Sequence, residues 1–378
     1  MYAASNRNSQ TQTGFARAEA EKAERRTQNT EISHTRSCMA EKWILRKGTK
    51  ASGFRYSAAD GARVSDKKTL ERIDLLRIPP AWRDVHISAN PSRAIQVWGF
   101  DARGRKQYRY HKRAVEKGEL RKYYRVRQMA VELPRLRGKL FKDFERDDSS
   151  RERICAGIVL LIGHAFFRIG SEKYEKENNT FGITTLRKSH VFIDGTTVIF
   201  EYKGKRSISH RQVVTDPALA RFIADLLDSP GRRLFRYRQG RKWVDVDARD
   251  VNNYIEELAG FPYTAKDFRT WGGTLRAATV LADIGSAPTE NARKKNVLTT
   301  VRVVAAELGN TPAIARKSYV HPIILTRYLR SGATISLPRS KQSRISRVGH
   351  TPEEKALISF LEEYFPERRK ERRDPEDE

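Results

Sequence analysis

Cysteine is nearly absent from this chain: Cys38 and Cys155 are the only two among 378 residues. Two thiols cannot build a disulfide framework, and no Cys/His cluster has zinc spacing. Long apolar runs are missing as well. The longest, from Ile154 to Phe167, is too short to cross a bilayer and reads as a buried helix. The stretch Met1 to Gln10 is polar and lacks the apolar core of a signal peptide. There is no Walker-type phosphate loop, no carboxylate or zinc cluster, and no internal repeat. The reading is a soluble intracellular protein whose chemistry does not announce itself through the common cofactor signatures.

Acidic residues are also in deficit. Asp and Glu total 46 against 74 Lys and Arg, a formal net charge of +28. Such an excess favours a polyanionic partner, because each phosphate neutralised by Lys or Arg releases condensed counterions. An anionic membrane would need a basic amphipathic anchor, and none is evident, so nucleic acid is the better reading. Hydrophobic residues make up 38% of the chain and aromatic residues 9%, enough for real cores. The charged fraction is 32%, which points to solvated segments beside those cores.

The order of elements follows from periodicity and punctuation. Residues 1–40 are polar and basic and read as a mobile arm. Residues 41–115 read as a small β-rich domain. Ala94 to Phe100 alternates as a strand, Asp101 to Arg105 forms a Gly-containing hairpin loop, and Lys106 to His111 returns. In that returning strand Lys106, Tyr108 and Tyr110 share one face, with Gln107, Arg109 and His111 on the other. Cations and aromatic rings interleaved on one hairpin suit a surface that follows a nucleic-acid backbone. Residues 116–148 are heavily charged with helical spacing and read as a connector. From Ser149 to Ser331 a second, mostly helical domain is expected. It should contain a buried helix over Glu152 to Phe167 and a meander of three strands, His190 to Ile193, Thr197 to Tyr202 and Ser207 to Val214. Thr264 to Asp267 has the form of a capping box opening a helix that Gly272-Gly273 would bend. Residues 332–378 read as a basic linker, a short helix opened by Thr351 and a charged tail.

Within this frame a few residues stand out for chemistry. Arg168 follows the buried helix. Lys205 sits at the Gly204 turn of the meander. Arg269 lies in the first turns of the capped helix. Val301 to Leu308 is a helical run that stops at Gly309, and Thr311-Pro312 opens a further short helix. Asn310 is left in the bend between them, nine residues before Tyr319.

These segments resemble the type IB DNA topoisomerases of the compact bacterial and poxvirus kind. The resemblance is carried by Phe167-Arg168-Ile169-Gly170 with Tyr174, by Tyr202-Lys203-Gly204-Lys205 with Ser209-His210, by Lys266-Asp267-Phe268-Arg269, and by Gly309-Asn310-Thr311-Pro312 through Ser318-Tyr319. In the first domain Ile78-Pro79-Pro80-Ala81-Trp82 and Gly104 to His111 look like the family's DNA-facing clamp. It implies an α+β fold, with the small β-rich domain followed by a tyrosine-recombinase-like helical catalytic domain. It also implies relaxation of supercoiled DNA through a 3′-phosphotyrosyl intermediate, without ATP or metal.

The implied roles agree with the chemistry of the residue types. Tyr319 is the nucleophile. Arg168 and Arg269 fork onto non-bridging phosphate oxygens. Asn310 donates a further hydrogen bond, and Lys205 protonates the leaving 5′ oxygen. Gln107, Tyr108, Tyr110, Tyr174, Lys266 and His210 are expected to contact DNA, Lys266 being an alternative acid. Poxvirus members carry histidine where this chain has Asn310, and lysine where it has Ser171. Asparagine holds no charge, so proton transfer at that position is excluded. The implied partner is double-stranded DNA, met by a monomer in a cytoplasmic, nucleoid-associated setting. The nearest rival is a tyrosine recombinase or integrase, which usually shows His-x-x-Arg where this chain has Lys266 to Arg269. A non-catalytic DNA-binding protein with a degenerate site is the other.

Overall fold

A computed structural model describes residues 43–337 and 349–363. The basic arm over 1–40, most of the linker after Ser331, the charged tail and Cys38 lie outside the described residues. The architecture is α+β, in two compact units divided between Glu119 and Leu120.

The first unit is built on an antiparallel five-stranded sheet. Its strands are β1 (Trp43–Thr49), β2 (Gly53–Ser57), β3 (Arg83–Ser88), β4 (Ile95–Phe100) and β5 (Lys106–Tyr110), in the order β2-β1-β3-β4-β5. Period-two alternation sends Ile44, Val85, Ile87 and Val97 to one face. There they form a small core with Ile73 of helix α1 (Lys67–Leu75). That helix starts where Asp66 accepts a hydrogen bond from Thr69 N at 2.8 Å. Trp43, His86 and Trp98 come from alternate positions. His86 and Trp98 stack at 3.8 Å between ring centroids, and Trp43 meets Trp98 edge-on. On β5 the expected face is present: the Tyr108 and Tyr110 rings stack at 5.9 Å, and Lys106 Nζ lies 3.9 Å from the centre of the Trp98 ring. Gln107 is tied instead to the hairpin loop, donating to Asp101 Oδ2 at 3.0 Å.

The segment expected as a connector is one helix, α2 (Lys112–Phe144), continuous through Pro134. It begins in the first unit, but Tyr123, Val126, Met129, Leu133, Leu136 and Leu140 are buried among residues of the second. It is therefore structural to the second unit over most of its length. Helix α3 (Arg151–Ala165) is buried from Ile154 through Ile162, as expected of a helix apolar all round. Burying each large aliphatic side chain there contributes about 1.5–3 kcal/mol. Helix α4 (Glu172–Asn178) follows, then the meander of β6 (Val191–Asp194), β7 (Thr197–Lys203) and β8 (Ser209–Thr215), antiparallel in the order β6-β7-β8. After α5 (Pro217–Asp228) a small hairpin not read from the sequence, β9 (Arg236–Gln239) and β10 (Lys242–Asp245), leads to α6 (Ala248–Ala259). The remaining helices are α7 (Ala265–Ile284), α8 (Glu290–Glu307), α9 (Pro312–Ser318), α10 (Pro322–Ser331) and α11 (Pro352–Glu362).

Two sequence expectations need amendment. Helix α7 runs unbroken through Gly272-Gly273. These glycines serve close packing: a side chain at Gly272 would overlap the Phe166 ring, and a Cβ at Gly273 would lie 3.1 Å from Tyr319 O. The second unit also does not end at Ser331. Helix α11 returns Leu357, Phe360 and Leu361 to the same core, and Glu354 makes a two-pronged pair with Arg137 at 2.7 and 2.8 Å. No described helix is long and apolar enough to cross a membrane.

Candidate active site

The site is assembled at the C-terminal end of α8. A helix leaves its last carbonyls without intrahelical partners and carries partial negative charge there, so cations are favoured. Here the partners are arginines from two other elements. Leu308 O accepts from Arg269 Nη2 at 3.0 Å, and Gly309 O accepts from Arg168 Nη2 at 2.6 Å. Gly309 has φ 60, which turns the chain out of the helix, and Asn310 N donates back to Ala305 O at 2.8 Å. The bend is thus fixed on both sides.

Arg168 is placed by the end of α3. Phe166 caps that helix in the left-handed region, φ 54, and Phe167 is fully buried, so the chain leaves the core with Arg168 facing the bend. The same Nη2 donates to Asn310 Oδ1 at 2.5 Å. This contact orients the Asn310 amide, because only its oxygen can accept from a guanidinium. Asn310 Nδ2 is consequently turned away as a donor, buried and without a hydrogen-bond partner.

Arg269 is 3% exposed on α7. Its register is set by the expected capping box, where Thr264 N donates to Asp267 Oδ2 at 2.9 Å; Arg125 of α2 holds the same carboxylate at 2.7 Å. Apart from the bond to Leu308 O, Arg269 Nε and Nη1 have no hydrogen-bond acceptor. Burial pushes its pKa below the arginine range. The Tyr319 phenol opposes that shift, and the neighbouring Arg168 adds to it. The guanidinium carbon lies 5.3 Å from the centre of the Tyr319 ring.

Tyr319 closes α9, whose start is capped by Thr311 accepting from Ile314 N. Several elements fix its main chain. Tyr319 N donates to Ala315 O at 3.0 Å, and Thr274 Oγ1 of α7 lies 3.1 Å from Tyr319 O. Helix α2 reaches the flanking carbonyls, with Tyr123 Oη donating to Val320 O at 2.8 Å and Lys122 Nζ to Ser318 O at 3.4 Å. His321 caps α10, accepting from Ile323 N at 3.2 Å, which gives a structural place to a residue without one in the sequence reading.

The structure therefore brings Arg168, Arg269, Asn310 and Tyr319 together, and adds His210. The His210 ring stacks on Tyr202 and lies beside Arg168 around a water-sized cavity of about 10 Å³. Burial first, and then Arg168 and Arg269, lower its pKa, so the ring is neutral at physiological pH. Lys205 is not in the cluster. It is exposed at the tip between β7 and β8, where Arg206 and Ser207 take left-handed backbone conformations, and its side chain makes no hydrogen bond or ion pair among the described residues. Lys266 is exposed one turn before Arg269, and Tyr174 is exposed on α4. Gln107, Tyr108 and Tyr110 belong to the first unit. The carbonyls of Leu308 and Gly309 were invisible to side-chain reading; the stop at Gly309 was the one signal that acceptors would be free there.

Chemically this is a half-built anion site. Unpartnered donors from Arg269 and Asn310 converge with Arg168 next to a phenol, and among the described residues no cluster of His, Cys, Asp or Glu could hold a metal. Comparison with known proteins agrees in kind. The family described as eukaryotic DNA topoisomerase I, catalytic core, matches residues 105–335, and the bacterial DNA topoisomerase IB N-terminal domain matches residues 53–101. The chain is 32% identical to a DNA topoisomerase 1B of Acanthamoeba polyphaga mimivirus, covering 73% of this chain and 84% of the relative. It is 26% identical to the DNA topoisomerase 1B of vaccinia virus (strain Copenhagen), covering 69% and 82%. A solved XerH site-specific recombinase on its difH substrate overlaps 49% of this chain and 47% of its own, at 15% identity and TM-score 0.32, too slight a likeness to argue from.

Proposed function

The chain belongs to the type IB DNA topoisomerase family and relaxes supercoiled DNA by transient strand cleavage through a tyrosine, and from that premise we propose which residues carry each step. The observation that supports the assignment is the set of buried donors without acceptors, Arg269 Nε and Nη1 and Asn310 Nδ2, placed beside Tyr319. Buried unmet donors cost about 1–3 kcal/mol each, so they persist where a ligand satisfies them. A phosphodiester supplies the matching acceptors.

In this reading Tyr319 Oη attacks phosphorus, the phenolic proton passes to solvent, and the bond from phosphorus to the 5′ oxygen breaks. Lys205 gives its proton to that departing oxygen. The strand is left attached through a 3′-phosphotyrosyl ester, and the freed 5′ hydroxyl attacks it in the reverse step. Arg269 and Arg168 neutralise the charge that develops on the non-bridging oxygens. Asn310 donates Nδ2 to one of those oxygens. No triphosphate or metal takes part in these steps.

Lys266 serves as a phosphate contact, and Tyr174, Gln107, Tyr108 and Tyr110 add backbone contacts to double-stranded DNA. The protein works as a monomer, cytoplasmic and nucleoid-associated. Relaxation of a negatively supercoiled plasmid in EDTA without ATP, abolished by Tyr319→Phe, is the expected result. Strand exchange between two sites without free relaxation would overturn the reading.

A further inference from the structure

His210 is the second residue of the last strand of the meander, and its ring fills a slot between two glycines that belong to different parts of the site. Gly204 immediately precedes Lys205 on the hairpin, and Gly309 immediately precedes Asn310 in the bend. A Cβ at Gly204 would overlap the His210 ring at Cδ2 and Nε2, and a Cβ at Gly309 would overlap it at Cε1. One edge of the imidazole therefore bears on the hairpin and the opposite edge on the bend. The ring is also clamped by Tyr202, whose ring centroid lies 5.3 Å away at an interplanar angle of 21°, and Tyr202 Oη is fixed by Gln212 at 2.6 Å. Gly204 N donates to Ile208 O at 2.8 Å, which closes the turn around the lysine. The bend in its turn is tied to Arg168 through Gly309 O and Asn310 Oδ1.

We infer that His210 is a positioning residue: its ring is the spacer that fixes the root of the Lys205 hairpin against the bend holding Asn310, so that the proton donor is delivered in register with the phosphate cradle. Lys205 itself is exposed on a short tip with two left-handed residues, so little else in the described structure fixes where its ammonium goes. Without the ring, the contacts that set the distance from hairpin to bend are gone, while Arg168, Arg269 and Tyr319 keep their own anchors. The defect should fall on proton delivery to the 5′ oxygen and spare nucleophilic attack.

The inference rests on Lys205 being the acid, and one experiment separates the two. Single-turnover cleavage is measured on a suicide duplex with an ordinary 5′ oxygen and on one with sulfur at the bridging position, whose thiolate leaves without a proton. His210→Ala should slow the oxygen substrate by about 10–100-fold, a part of the general-acid contribution, and return to within about 3-fold of wild type on sulfur. Lys205→Ala, run in parallel, should show the same pattern more strongly. Gly204→Ala displaces the ring from the hairpin side and should reproduce the sulfur rescue, which keeps the test valid if His210→Ala folds poorly. Equal slowing of His210→Ala and Gly204→Ala on both substrates, with Lys205→Ala rescued, would overturn the positioning role and leave Lys205 as acid. Failure of Lys205→Ala to be rescued would overturn the acid assignment and with it the inference. Unchanged cleavage of the oxygen substrate by His210→Ala would overturn the inference alone.

Discussion

Replacing Arg269 by methionine should make the DNA-free protein more stable and nearly inactive. The side chain is 3% exposed, with one hydrogen bond to Leu308 O and two donors, Nε and Nη1, unmet. A charge-assisted hydrogen bond contributes about 1.5–3 kcal/mol, whereas each unmet buried donor costs about 1–3 kcal/mol and more when charged. Methionine fills much of the same volume, forfeits the one bond and removes both unmet donors. Like other replacements of buried charge by apolar groups, it should stabilise by about 1–3 kcal/mol. For a unit of this size that is a rise in Tm of roughly 2–12 °C. Cleavage should fall about 100- to 1,000-fold, the usual cost of one transition-state donor. Thermal melts without DNA and single-turnover cleavage on a suicide duplex check both halves. A fall in Tm would refute the reasoning, because it would mean the guanidinium is already compensated and is not held waiting for an anion.

Other outcomes follow from the same geometry. Asn310→Asp keeps an acceptor for Arg168 but loses the Nδ2 donor and adds negative charge at the phosphate, so cleavage should fall by about 100-fold or more, further than in Asn310→His; equal rates on a denaturing gel would argue against the donor role. Tyr319→Phe should bind DNA with wild-type affinity by gel shift and form no covalent adduct. His321 is held down to about 4 by burial, with Lys122 contributing, so the unfolded chain binds the extra proton between pH 6.5 and 4 and stability falls as the pH drops through that window. The slope should reach about 1.4 kcal/mol per pH unit for this group, and His321→Asn, which keeps a capping side chain, should flatten it in urea titrations at pH 7 and 5. Glu354→Ala strands the half-hidden Arg137 charge and should cost about 3–5 kcal/mol in the same titrations.

The parts of this fold legible in the sequence were those set by local punctuation. The meander announced itself through Asp194-Gly195 and Gly204, and its strands differ from the expected ones by a residue or two at the ends. The stop at Gly309 and the Thr311-Pro312 start marked the helix ends around the Tyr319 segment. Strand β3 was missed because its alternation amounts to Val85 and Ile87 alone, with Asp84 (φ 48) and a register shift between Arg83 and His86 interrupting its start. Hairpin β9–β10 was hidden by its Arg, Lys and Trp content and its four-residue strands. Helix α11 was read as a short helix outside the second domain because its core contacts are all distant in sequence. At the site, residue types pointed to Arg168, Arg269, Asn310 and Tyr319, which the fold brings together, but not to the main-chain oxygens that orient both guanidiniums. Nor could they show that Lys205 is left exposed while Arg269 is buried, since that is a matter of tertiary placement.

The Gly272-Gly273 pair has one more consequence. Phe166, which turns the chain toward Arg168, rests on Gly272; the main chain of Tyr319 rests on Gly273; Arg269 projects from the turn before. Three fragments that the chain delivers from far apart are thus gauged from one rigid rod, and at the two contact points no side chain intervenes. A single methyl at Gly273 would act as a shim under Tyr319, moving it by a fraction of an ångström while leaving the helix whole. Since a displacement near 1 Å can cost about 100-fold in rate, the tolerance of this enzyme for error is set by the missing atoms on the back of α7.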